Sequence, residues 1–145
     1  MADLSSFANK QKSDEGVIFP VSLNGVKLPI AIKVYGNNSD VVKQYTNERL
    51  RKLRISQNGV DFNEEALTEM LDSNDSVTVR MGGVYAYDWD KGEVIENEAV
   101  TLNNRTIKND KASYNYLLDQ IEDLGDWVIK KSKSKSDFLA NGIKN

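Results

Sequence analysis

Histidine and cysteine are both absent from the 145 residues, and each absence removes chemistry. Without cysteine there are no disulfides, no thiolate nucleophile and no cysteine metal site. Without histidine the commonest general base, the Ser-His-Asp triad and most zinc sites go as well. Carboxylates, lysines, tyrosines and arginines are what remain for catalysis. No phosphate-cradling loop stands in for them: MGGVYAYD (81–88) has neither the later glycine nor the Lys-Ser/Thr end that such a loop needs. DWDKGEVIENE (88–98) is rich in acids but does not reproduce an EF-hand loop. The expectation is a protein that is not an enzyme and has no cofactor and no metal.

Long apolar runs are also missing. VIFPV (17–21) and LPIAIKVY (28–35) fall well short of the roughly 20 residues that cross a bilayer. The opening MADLSSFANKQKSDEG has no apolar signal-peptide core, so no membrane association and a cytosolic home are expected. The length suits one domain with a real core.

Charge is present in quantity but unevenly placed. Residues 1–60 carry nine Lys/Arg against five Asp/Glu, a balance of +4. Residues 61–129 carry five against sixteen (−11), and residues 130–145 five against one (+4), which sums to the net −3 of the chain. A basic–acidic–basic chain can satisfy itself within the fold or between copies in an assembly. The acidic middle opposes long-range attraction to nucleic acid, so none is expected as a partner.

The chain reads as α+β: an N-terminal β-hairpin packed with about four α-helices in a single domain over 16–141. A mobile arm is expected over 1–15 and a short tail over 142–145. In GVIFPVSLNGVKLPIAIKVYG, two Val/Ile-rich runs flank Asn24-Gly25, the strongest short hairpin signal. Val26, Leu28, Ile30, Ile32 and Val34 alternate onto one face, and Pro20 and Pro29 favour edge or bulge positions. Ser39 or Asp40 can cap a helix over 41–54, whose basic residues Arg49, Arg51, Lys52 and Arg54 suit a helix C-terminus. Asn63 opens a second helix, read as continuing through about Val79, with Gly82-Gly83 breaking it. Tyr85, Tyr87 and Trp89 share one face of an extended stretch, read as core or rim packing. Asn109 or Asp110 caps a helix holding Tyr114, Leu117 and Leu118. A last helix runs from Ile121 to Phe138 and Leu139, with the KSKSK run as its wet face and Asn141-Gly142 as its stop.

Two stretches together resemble the tail assembly chaperones of long-tailed bacteriophages. One is LPIAIKVYGNNSDVVKQYTNERLRKLR (28–54), an extended segment, a Gly-x-x-Ser transition and a helix ending in Arg and Lys. The other is SDFLANG (136–142) closing a helix. Trp89 and the paired Leu117 and Leu118 also fit the pattern. The resemblance implies a non-enzymatic protein of the host bacterial cytoplasm that coats the helical tape measure protein, keeps it soluble, and is left out of the mature virion. It further implies homo-oligomers, a possible link to the tail tube protein, and a short form of a frameshifted pair.

For that role the candidate client contacts are Trp127, Phe138 and Leu139, with Val42 and Tyr45 as alternates. Ordinary core packing is the competing reading for each. Arg49, Arg51, Lys52 and Arg54 are the candidate charge contacts between subunits. The alternative functions are a structural tail or virion component, such as a tube or tail-end protein, and then a small DNA-binding regulator using Arg49–Arg54 and Lys130–Lys135.

Overall fold

Asn24 and Gly25 take φ of 51° and 82°, the positive pair that a two-residue I′ hairpin loop requires. They join β1 (Val17–Leu23) to β2 (Val26–Val34), antiparallel from Leu23 opposite Val26 to Val17 opposite Val34. The fold comes from a computed structural model that describes residues 2–5, 8–57, 74–134 and 136–138. Pro20 lies on the edge strand β1, where the register shifts between Pro20 and Ser22. Both placements tolerate its missing N–H. Pro29 precedes Ile30, the first β2 residue paired with β3. There the Trp89 indole N–H donates to the Leu28 carbonyl at 2.7 Å and closes the end of the ladder.

The expected lone hairpin is half of a larger sheet. β3 (Met81–Asp88) pairs antiparallel with β2, and β4 (Glu93–Ile95) with β3, giving the order β1-β2-β3-β4. Gly82 and Gly83 therefore do not break the chain; they sit inside β3. Neighbouring rings explain why glycine is used: a Cβ on Gly82 would come within 2.9 Å of the Tyr35 ring, and one on Gly83 would strike the Tyr85 hydroxyl. A further two-stranded hairpin, β5 (Thr101–Leu102) with β6 (Arg105–Thr106), turns on Asn103 and Asn104, both at positive φ.

Helices cover the sheet. α1 (Lys10–Glu15) lies within the stretch expected as an arm, and its Ser13 is buried against Gly36. α2 (Asp40–Gln57) follows the Gly36–Ser39 turn, and the Asp40 N–H at its start donates to Asp14 Oδ1 at 2.8 Å. α3 (Asn74–Thr78) bears out the helical reading of SVTVRM as far as Thr78. The remainder of that expected helix, from Asn63, lies outside the described residues. α4 (Lys111–Gln120) is capped by Asp110, which accepts the Ser113 N–H at 2.8 Å. Asn109 instead accepts the Val84 N–H of β3 at 2.9 Å. The core is one cluster, centred on the cross-strand row Phe19–Ile32–Val84 and closed by Leu117, Leu124, Val128 and Phe138.

The last helix is shorter than expected. α5 (Leu124–Lys133) ends before the Lys/Ser run does, Ser134 is extended, and Ser136–Phe138 forms a separate 3₁₀ turn. The break lets Phe138 fold back, with its ring edge-on to Phe19 at 5.9 Å between centroids. Leu139, the Asn141-Gly142 stop and the 142–145 tail lie outside the described residues.

Candidate functional site

Ser132 follows Leu124 by eight residues and Val128 by four, so α5 turns all three to one side. Leu124 and Val128 are fully buried, and Ser132 is 2% exposed. Its hydroxyl donates to the Tyr35 carbonyl at 2.8 Å and accepts Arg80 Nε–H at 3.1 Å. Its own carbonyl accepts the Asn37 N–H at 2.8 Å. The wet-face reading of the Lys/Ser run thus fails at Ser132, because the serine continues the buried stripe while Lys130 and Lys133 take the exposed sides.

Arg80 is the centre of this junction. It is 7% exposed and donates from Nη1 to the Ser76 carbonyl and hydroxyl and from Nη2 to Asn37 Oδ1 at 3.0 Å. Burial pushes its pKa below the usual arginine value, yet a guanidinium keeps its proton in a protein. The acceptors are neutral, and two of them, the Ser76 carbonyl and Ser132, lie in the last turns of α3 and α5. Helix C-termini carry partial negative charge, which offsets a buried cation. One side chain thereby ties β3, α3, α5 and the Gly36–Ser39 turn together.

Beside Arg80 opens a groove of about 730 Å³ between α2, α3 and α5, lined by Asn37, Thr46, Asn74, Ser76, Val77, Gly125, Asp126, Ile129 and Lys133. Val77 and Ile129 are its apolar members; the rest offers hydrogen bonds. Asp126 and Lys133 stand seven residues apart on α5, about 10 Å along its axis, so they form no proton-transfer pair. The arrangement can hold polar groups of a partner. Among the described residues no group of three or more acidic side chains is placed to hold a metal ion, and no helix is long and apolar enough to cross a membrane.

The residues singled out from sequence separate into three sets. Phe138 (1% exposed) and Val42 (2% exposed) are core; a side chain already packed on all sides has no surface left for a client, and both are corrected to packing roles. Trp127 and Tyr45 are half-buried. Trp127 is edge-on to Phe19 at 6.5 Å with Lys131 over both rings, and Tyr45 lies under the Arg49 guanidinium at 5.1 Å. Trp127 and Phe138 are thus brought together through Phe19, while Val42 and Tyr45 sit apart on α2. Leu139 is outside the described residues.

Among the basic candidates, Arg49 is bonded within the chain to Asp75 at 2.8 Å. Lys111 reaches the same carboxylate at 2.9 Å. The Lys111 bond, ahead of the smaller help from Arg49, holds the Asp75 pKa below the usual carboxylate range. Arg51 is exposed, and the Lys52 and Arg54 side chains lie outside the described residues. Among the described residues, the large exposed apolar ones, Leu4, Ile18, Val26, Val41 and Ile95, are distributed over five segments.

Sequence reasoning missed Arg80, Ser132 and Asn37. The i, i+4, i+8 spacing of Leu124, Val128 and Ser132 is the signal that would have found the serine. Comparison of the chain with protein-family models, with curated proteins and with solved structures finds no match.

Proposed function

We propose that the chain is a phage tail assembly chaperone, a non-enzymatic protein that binds and solubilises the tape measure protein in the host cytoplasm during tail assembly. The resemblance in residues 28–54 and 136–142 is the origin of this reading. The observation that supports it best is that each stretch is packed into the same unit. The Gly36–Ser39 transition is bonded to Ser132 through Asn37, and Phe138 of the Ser-Asp-Phe-Leu run packs on Phe19 of the hairpin. Both stretches thus belong to one packed unit. The half-buried Trp127 and Tyr45 are the candidate client contacts that remain.

Co-expression with the tape measure protein tests the proposal. The client is expected in the soluble fraction and in the pull-down when this chain is present, and in the pellet without it. Trp127→Ala and Tyr45→Ala should cut recovery severalfold at a temperature where each variant is still folded by its melting curve. A client equally insoluble with and without the chain overturns the reading.

One observation favours a second reading, a structural tail or virion component. The four-stranded antiparallel sheet is more β structure than the one hairpin expected from sequence, and tube-like proteins are built on such sheets. Mass spectrometry of purified mature particles separates the two: the chaperone is absent, and a structural component is present at many copies.

A further inference from the structure

Three helices each present one face to a small pocket of about 290 Å³. Tyr45 and Arg49 stand four residues apart on α2, Asp75 and Thr78 three apart on α3, and Lys111 and Tyr114 three apart on α4. Such spacings put both side chains on one side of a helix. All six line the pocket, and Val79 adds an apolar wall. The groove beside Arg80 uses other residues of α3, namely Asn74, Ser76 and Val77.

Charge in the pocket is unbalanced. Arg49 and Lys111 bond to the same Asp75 at 2.8 and 2.9 Å, so two cations share one carboxylate. The next acids do not line it. Asp110 accepts the Ser113 N–H and has Lys108 and Arg105 near it, and Glu48 is exposed on α2. Among the described residues, Arg49 and Lys111 each spend only one donor, on Asp75. A guanidinium and an ammonium carry several, so both keep donors to spare.

Tyr114 supplies an independent observation. It is 6% exposed, yet its hydroxyl has no hydrogen-bond partner among the described residues. Buried polar groups are ordinarily bonded. Burial raises its pKa from 10.0 to about 12, so at neutral pH the hydroxyl keeps its proton and can donate.

We infer that this pocket binds a carboxylate, which accepts from the Tyr114 hydroxyl, Lys111 Nζ and the Arg49 guanidinium. The Tyr45 and Tyr114 rings and Val79 hold its carbon stem. One negative charge matches the excess of one positive charge, whereas a phosphate group brings nearly two. The group belongs either to a small free acid or to an acidic side chain of a partner polypeptide. Tyr45 is also one of the client contacts proposed above, but the probes needed here are small molecules. Failure of either test therefore leaves the other standing.

NMR shifts of the full chain test the inference, with N-acetylglutamate methylamide, its glutamine analogue and sodium acetate as probes at constant ionic strength. The glutamate probe should give saturable shifts at the Thr78 and Val79 amides and the Tyr114 ring, and the glutamine probe none. Acetate binding as tightly as the glutamate probe marks a free acid as the ligand; weaker acetate binding marks a polypeptide side chain. Tyr114→Phe removes only an unbonded hydroxyl, so its melting curve should match wild type. Its affinity for the glutamate probe should fall about tenfold, because a charge-assisted hydrogen bond is lost. Lys111→Gln, at an exposed position, should weaken binding as well with unchanged circular dichroism. No saturable shift with either acid, equal shifts with the glutamine probe, or a Tyr114→Phe variant that binds as wild type does overturns the inference.

Discussion

Ser132 illustrates how much one small side chain can carry. Replacing it with alanine removes both hydroxyl bonds, leaving Arg80 Nε and the Tyr35 carbonyl without that partner in a buried place. The expected cost is about 1–3 kcal/mol, read as a lower urea midpoint at unchanged slope; a midpoint equal to wild type would remove the hub role. Phe138 carries a larger share through packing alone. Phe138→Ala vacates a site beside Phe19 that is 1% exposed, and a buried phenylalanine lost this way costs about 3–5 kcal/mol. A melting curve matching wild type would return Phe138 to the list of surface contacts. The apolar character of Phe138 was legible in the sequence. Its partner Phe19 was not, because about 120 positions of chain separate them.

The elements differ in how openly the sequence announces them. The β1–β2 hairpin is written into local chemistry, since Asn24-Gly25 supplies positive φ at both turn positions. α4 likewise follows from a capping aspartate and its own apolar stripe. β3 is different: Gly82-Gly83 reads as a break, and only pairing with β2 under the Tyr35 and Tyr85 rings makes it a strand. The joint between α1 and α2 depends on close approach as well. A Cβ on Gly36 would run into the Ser13 side chain, so Gly36→Ala should cost about 1–3 kcal/mol by overpacking and expose α1 to limited proteolysis. Equal protease resistance in the variant would show that α1 is not held there.

On the scale of the whole molecule, pH dependence follows from which groups titrate. The folded pKa of Asp75 lies below its ordinary 3.8 because the Lys111 bond and nearby Arg49 favour the charged form. Its contribution is therefore complete above that ordinary value and lost as pH falls through the folded one. Tyr114 moves the other way: burial raises its pKa from 10.0 to about 12, so its contribution is complete below pH 10.0 and lost as pH rises toward 12. With no histidine in the chain, no side chain of ordinary pKa titrates between about pH 5 and 8. Urea midpoints should be flat across that range, fall on the acid side below it, and fall again as Tyr114 ionises late in an alkaline absorbance titration. A step near neutrality would contradict this account.

Composition and local pattern alone determined the α+β class, the first hairpin, the Asp110 cap of α4 and the removal of histidine and cysteine chemistry, because each depends on neighbours a few residues away. The tertiary structure decided the rest: the extra strands, the Arg80–Ser132 junction, and the burial of Phe138 and Val42. Those outcomes are contacts between distant positions, and a partner that lies a hundred residues off leaves no mark in local spacing.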